Sequence, residues 1–273
     1  MPSNTEITTS QLIRLIGMPD APRIIDVRSA DDLRRDPRVI PGAVNRDALA
    51  VETWADEFQG KQVIIYCQKG QKLCQGAASW LRHKAIEAET LEGGYEAWIA
   101  SNASVVNLER LANRDHQNRT VWVTRARPKI DRIACPWLIK RFIDPDAVFL
   151  FVGAQEVLEV ADKFNATPFD VEGVFWSHRG DLCTFDVMIE EFGLKTPSLD
   201  RLATIVRGAD TARLDLAPQC SGLLAASLGL SRMFKDDLEQ LNAGLLLYDA
   251  FYRWARDAVD ETHNWPSGKP GGQ

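Results

Sequence analysis

Apolar residues follow two rhythms along this chain. Short runs rich in Val and Ile alternate with stretches whose apolar positions recur at helical spacing. The first rhythm predicts buried strands, the second helices that lay one face against them. Thr8 is a good N-cap for a helix reaching Ile16, where Gly17 and Pro19 stop it. Arg23 to Val27 reads as a buried strand, Asp31 to Arg35 as a solvated charge run, and Pro41-Gly42 as a turn before a strand edge at Ala43 to Asn45. A short helix follows over Val51 to Phe58. Val63-Ile64-Ile65-Tyr66 predicts a strand that stops at Cys67, followed by a loop containing Gly70 and a helix from Gln75 to His83. Ala88 to Leu91 is a further strand, Gly93-Gly94 a turn, and Tyr95 to Ala100 a closing helix. Strands alternating with helices predict an α/β fold with a mainly parallel sheet covered on both faces.

The pattern weakens between Ser101 and Arg119, apart from Leu108 and Leu111, which can make one helical turn; the domain linker is placed here. A second pattern then begins. Val121 to Thr124 is a strand, Arg125 to Ile130 a basic loop, and Asp131 to Phe142 a helix with Asp131 as N-cap and Pro136 near its first turn. Ala147 to Val152 is a strand, Ala154 to Lys163 a helix, and Val171 to His178 a strand followed by a turn. From Thr184 the chain reads as helices, two of them starting at Pro197 and Pro218. A long apolar face runs from Met233 through Leu238, Leu241, Leu245, Tyr248, Phe251 and Tyr252 to Val259. The second unit is thus α+β and mostly helical after residue 184. The expected boundaries are 1–103, a linker at 104–119, 120–265, and a disordered tail at 266–273.

A chain of 273 residues, 45% hydrophobic and 26% charged, suits two globular domains with a core each. Its net charge of −6 argues against a general nucleic-acid surface. No stretch reaches the roughly 18 uninterrupted apolar residues of a membrane span, and the opening residues lack the basic-then-apolar pattern of a secretory signal. Five irregularly spaced cysteines do not form a disulfide framework. A reducing cytoplasm is the expected location, and it suits a reactive thiolate.

Cys67 sits where a strand ends, before a glycine loop and a helix start. Backbone N–H groups there lack partners and carry partial positive charge, so they stabilise a thiolate or a persulfide and lower the thiol pKa. Lys69 and Lys72 add full charges. The motif Cys67-x-x-Gly70-x-Lys72 resembles the active-site loop of the rhodanese family, usually Cys-x-x-Gly-x-Arg. The segments Ile24-Ile-Asp-Val-Arg28, Ile40-Pro-Gly-Ala43 and Leu91-Glu-Gly-Gly-Tyr-Glu-Ala-Trp98 fit the same family in the same order. Lys72 replaces a bidentate guanidinium by a point charge, and Leu73 stands where a small polar residue is common. The resemblance implies a sulfurtransferase. Cys67 would take sulfur from thiosulfate or a similar donor, carry it as a persulfide, and pass it to a thiol, cyanide or another acceptor. Lys72 would assist, Gln68, Lys69, Gly70, Gln71 and Leu73 would form the substrate loop, and no cofactor would be required. A related fold with a longer loop binds phosphate, so phosphatase activity is the weaker alternative. Asp26 and Arg28 read as a supporting ion pair, Cys74, two turns further on, as helix packing rather than a resolving thiol, and His83 as an exposed helix residue.

Arg127-Pro-Lys-Ile-Asp-Arg-Ile-Ala-Cys-Pro-Trp-Leu-Ile-Lys-Arg-Phe-Ile-Asp-Pro-Asp146 resembles the C-terminal domain of chromate-resistance protein B (ChrB). His178-Arg-Gly-Asp-Leu-Cys-Thr-Phe-Asp186 and Ile205-Val-Arg-Gly-Ala-Asp210 fit as well. This implies a link to chromate resistance, sometimes as a regulator. Such regulators carry a DNA-binding region before this domain; a rhodanese-like domain takes that place here, so DNA binding is not expected. His178, Cys183, Asp131 and Asp210 are candidate ligands for a transition metal, with Cys135 and Asp186 nearby, although their spacing fits no standard zinc pattern. The plainer reading is a capped turn with Thr184 opening a helix and Asp186 at its positive end. Arg125, Arg127, Lys129 and Arg132 concentrate positive charge before a helix, a place for chromate, sulfate or phosphate, or else for a solvated patch facing acidic groups. The class that competes with an enzyme is a non-enzymatic oxyanion or metal sensor, and the apolar C-terminal helices leave room for a homodimer.

Overall fold

A computed structural model of the protein describes residues 5–107, 111 and 113–261. Leu108 and the tail from Pro266 lie outside the described residues. The first half runs β1 (Glu6–Ile7), α1 (Thr9–Leu15), β2 (Arg23–Asp26), α2 (Ala30–Arg35), β3 (Arg38–Val39), β4 (Ala43–Asn45) and α3 (Val51–Trp54). It continues with β5 (Val63–Tyr66), α4 (Lys72–His83), β6 (Ala88–Leu91), α5 (Gly94–Ala100) and β7 (Val106–Asn107). The second half runs β8 (Val121–Arg125), α6 (Asp131–Leu138), β9 (Val148–Val152), α7 (Val157–Lys163) and β10 (Thr167–Pro168). Helices α8 (Thr184–Phe192), α9 (Pro197–Asp210), α10 (Cys220–Met233) and α11 (Asp237–Asp257) complete it.

The first half is built on a parallel sheet ordered β1-β6-β5-β2-β4. All four residues of β5 are fully buried, as a strand covered on both faces requires. Each such Val or Ile contributes about 1.5–3 kcal/mol of burial. Thr8 and Gln11 cap α1 reciprocally, Gln11 N donating to Thr8 Oγ1 at 3.3 Å and Thr8 N to Gln11 Oε1 at 2.9 Å. The charge run at 31–35 is a helix, α2, because the Ser29 hydroxyl caps Asp32 N. The segment 51–58 divides into α3 and a 3-10 turn over Ala55–Phe58.

The second half opens with a parallel sheet ordered β10-β8-β9 and is mostly helical after Thr184. Residues 171–178 do not form the expected strand. Two isolated bridges, Phe169 to Trp176 and Arg179 to Leu182, hold this loop instead. Helix α6 passes into a π-turn over Ile139–Ile143, downstream of Pro136, which cannot donate an N–H. The apolar face of α11 is narrower than expected: Leu241, Leu245, Tyr248 and Tyr252 are buried, but Met233, Leu238 and Val259 are exposed. Met233 ends α10, so it is not on the same helix face.

One hydrophobic cluster runs through both halves and includes Leu12 and Ile16 with Trp137, Phe142 and Tyr252. Gly42 N donates to Phe142 O at 2.6 Å, and Arg256 to Arg14 O at 2.9 Å. Arg23 pairs with Asp146 across the same junction. Val106–Asn107, within the stretch read as linker, pairs antiparallel with Arg38–Val39.

Candidate functional site

Cys67 follows the central strand at its carboxyl end, where parallel sheets place ligands. The loop after it is clamped by the first turn of α5. Tyr95 N donates to Cys67 O at 2.9 Å, and Glu96 N to Gln68 O at 3.0 Å. Gly70 and Gly94 have φ of +67° and +61°, and a Cβ on Gly70 would lie 2.8 Å from Gly94 N. Only two glycines allow this approach. Gln71 N donates to Cys67 Sγ at 3.3 Å. A hydrogen bond from the Cys74 thiol first, and then backbone N–H groups of Cys74, Gln71 and Lys69, outweigh burial and hold the Cys67 thiol down at about 5. Lys69 and Lys72 are exposed, Gln68 and Leu73 are half-buried, and Lys72 opens α4.

Helix α4 starts at Lys72, not Gln75, so Cys74 lies in its first turn. Its Sγ is 3.2 Å from Cys67 Sγ and 3.2 Å from Gln71 O. The sequence spacing placed this thiol two turns away because the helix start was read three residues late. His83 is exposed, against the Trp80 ring edge.

Asp26 and Arg28 are fully buried and paired, with Arg28 Nη2 2.8 Å from Asp26 Oδ2. Tyr66 Oη donates to the same oxygen at 2.9 Å, Arg28 also reaches Asp36 O and Arg38 O, and its guanidinium lies 3.9 Å from the Tyr95 ring centre. These contacts tie β2 to β5 and α5 and leave no guanidinium edge for a substrate.

In the second half His178 Nε2 lies 3.2 Å from Asp210 Oδ2 and 3.5 Å from both Asp131 Oδ2 and Asp170 Oδ1. Among the described residues, Asp131, Asp170 and His178 bring candidate ligand atoms within 4.8 Å of one another. Asp131 is not an N-cap. It is the first residue of α6, wholly buried, and accepts from Thr184 N at 2.6 Å, while its Oδ1 has no hydrogen-bond partner. The residue before it, Ile130, has φ of +35°, a strained value for a β-branched side chain. Tyr248 Oη donates to Ile130 O at 3.0 Å and Gln240 to Pro128 O, so α11 holds the strained turn in place.

Burial, then the charges of Asp210 and Asp170, push Asp131 well above the usual carboxylate range. Hydrogen bonds to Asp170 and Asp210 push His178 up to about 10. Burial raises Asp170, but His178, Arg125, Arg132 and Thr184 together hold it below its ordinary value. Asp170 was not singled out from the sequence.

Cys183 lies outside the converging set of ligand atoms, although its thiol neighbours the Asp131 carboxylate. It precedes α8, where Cys183 N donates to Asp186 Oδ2 at 3.1 Å in a capping box, and Asp186 pairs with Arg207 at 2.8 Å. Cys135 is buried in the core. Nor do the four basic residues form one anion patch. Arg125 and Arg132 both bind Asp170, at 3.1 and 3.3 Å. The Arg127 guanidinium donates to Phe234 O and Ser231 O while its backbone N donates to Asp237, and Lys129 is exposed. Two guanidinium groups thus converge on a carboxylate of the protein and the third on carbonyl oxygens, not on one common anion site, although Arg125 Nε keeps no partner.

Residues 122–255 match the family described as ChrB, C-terminal domain, and residues 8–101 match the family described as Rhodanese-like domain. Protein ChrB of Cupriavidus metallidurans is 33% identical over 147 residues, 54% of this chain and 44% of that protein. The chain thus spans less than half the length of this relative. A rhodanese-related protein from Thermoplasma volcanium is similar at 22% identity over 37% of this chain and 96% of its own, with a TM-score of 0.33. A rhodanese-like domain protein from Staphylococcus aureus is similar at 24% identity over 34% of this chain and 90% of its own, with a TM-score of 0.32. The chain therefore joins a rhodanese-like domain, residues 8–101, to a ChrB C-terminal domain, residues 122–255.

Proposed function

We propose that the rhodanese-like domain is a sulfurtransferase with Cys67 as nucleophile and thiosulfate, or another sulfane sulfur donor, as substrate. The observation that carries this is a Cys67 thiol held near 5, hence ionised at neutral pH, with Gln71 N–H on its sulfur. The thiolate attacks the outer sulfur of thiosulfate. The donor S–S bond breaks and sulfite leaves with its electron pair. Cys67 then carries a persulfide anion, and the loop amides at the start of α4 take up its charge. Lys69 and Lys72 draw the dianionic donor to the loop. An external thiol or cyanide removes the outer sulfur and restores the thiolate. The cycle needs no cofactor. Turnover of thiosulfate and cyanide to thiocyanate is expected for the wild type and absent for Cys67→Ser. Equal turnover by the two proteins would rule the mechanism out.

The two domain families together support a sulfurtransferase-like or chromate-resistance role. A second reading, a non-enzymatic metal-sensing role, concerns the ChrB domain. A divalent cation would bind Asp131, Asp170 and His178, with Asp210 beside them. It is favoured by the ligand atoms within 4.8 Å and by the unpartnered, buried Asp131 Oδ1. Three carboxylates and one imidazole suit manganese or ferrous iron better than a thiolate-seeking metal. His178 would lose its proton on binding. Calorimetric titration with Mn²⁺ is expected to show one site, weakened at least about tenfold in Asp170→Asn and His178→Ala. Unchanged binding in both variants removes the site.

A further inference from the structure

The sulfur-transfer cycle leaves Cys74 without a task, yet its Sγ is 3.2 Å from the nucleophile. Cys74 is fully buried, whereas Cys67 keeps 5% exposure. The donor therefore meets Cys67 from the solvent side, and Cys74 faces the same sulfur from within the domain. Both sulfurs are held on rigid elements, one at the end of β5 and the other in the first turn of α4.

We propose that Cys74 is a second catalytic thiol that resolves the Cys67 persulfide and releases its outer sulfur as sulfide. The proposal rests on the sulfur-transfer reading above. Cys74 Sγ attacks the inner sulfur, Cys67 Sγ. The Cys67–Cys74 bond forms, the bond to the outer sulfur breaks, and that sulfur leaves as hydrosulfide with the electron pair and the Cys74 proton. The two cysteines lose two electrons and the sulfane sulfur gains them. A low-molecular-weight thiol or dithiol then reduces the disulfide and becomes a disulfide itself. The sum is thiosulfate and two thiols giving sulfite, hydrogen sulfide and a disulfide.

The electrostatics around Cys74 ease once sulfur is loaded. In the resting domain the hydrogen bond to the Cys67 thiolate, burial, and the charge on that thiolate all keep Cys74 protonated. Once Cys67 Sγ is the inner sulfur of a persulfide, the hydrogen bond to a Cys67 thiolate is gone and the negative charge sits one bond further from Cys74, on the outer sulfur. The sulfurs must then close from 3.2 Å to about 2.05 Å, a small movement for two side chains already in contact.

The test is one turnover without reductant, under anaerobic conditions. The reduced chain is treated with thiosulfate, or with inorganic polysulfide as a chemical donor, and excess donor is removed. Trypsin cuts after Lys69 and Lys72, so a Cys67–Cys74 disulfide joins peptide 62–69 to peptide 73–82. The wild type is expected to release about one sulfide per chain and to yield the joined peptide. Cys74→Ser and Cys74→Ala should keep the added sulfur on peptide 62–69, releasing sulfide at least about tenfold more slowly. A wild type that holds its added sulfur as long as both variants, with no joined peptide, overturns the role of Cys74 and leaves sulfur transfer standing. Failure of the wild type and of both variants to gain sulfur from either donor overturns both.

Discussion

Between Cys67 and Cys74 one unbroken run of chain supplies nucleophile, amide donors, two lysines and a second thiol. The group around His178 is assembled instead from the start of α6, the end of β10, a loop and the end of α9. The first centre is electropositive and lowers the pKa of its titrating group. The second packs three carboxylates around one imidazole, raising both His178 and Asp131. A centre made of neighbours in sequence needs few long-range contacts, and those it has, from the first turn of α5, are chiefly backbone hydrogen bonds. A centre made of distant elements is only as well placed as the core that brings them together.

The largest expected effect separates the two centres outright. Cys67→Ala should lower thiosulfate-to-cyanide turnover on the order of 1000-fold, while His178→Ala stays within about twofold of the wild type. A comparable loss in both would mean that they share one site. Next come the two buried aspartates, read by urea unfolding. Asp26→Ala strands the buried Arg28 guanidinium and should cost about 3–5 kcal/mol. By contrast Asp131→Asn removes a carboxyl already crowded by like charges and should change stability by less than about 1 kcal/mol. Equal costs would erase the distinction between a paired and a crowded carboxylate.

Gly94→Ala would drive a Cβ into Cys67 O and Gly70 N at φ +61°. It should cost about 2–3 kcal/mol and loosen the loop, seen as lost turnover at temperatures where the fold persists. The smallest effect is the pH profile of Cys67 alkylation by iodoacetamide. Because the thiol pKa is depressed to about 5, the rate should be flat from pH 6 to 8 and fall about tenfold per unit below pH 5. A midpoint near the value of a free thiol would show that the amides and Cys74 do not stabilise the thiolate.

The strand at Val63–Tyr66 and the loop after it were legible because burial on both faces and a glycine turn leave a local mark. Asp26 and Arg28 were legible as a supporting pair for the same reason: they are two residues apart on one strand end. Cys74 was misplaced by an error of three residues in one helix start, because Gln71 and Lys72 carry no capping signal. Asp170 went unseen because nothing near it in sequence announces that β10 ends beside β8. The basic run at 125–132 looked like one patch, but the fold sends the Arg127 guanidinium to the end of α10 and turns Arg125 and Arg132 onto Asp170.

By itself, then, the order of residues determined a parallel sheet in the first half, a strand-and-helix opening and α-helical finish in the second, and a cysteine loop able to carry an ionised sulfur. Hydrophobic rhythm, glycines and a strand-to-helix turn act over a few residues, so they can be read one after another. Tertiary structure alone decided that Cys67 and Cys74 touch, that three aspartates converge on His178, and that both halves share a core. Such contacts depend on which faces are buried against each other, and burial is settled by the whole chain at once.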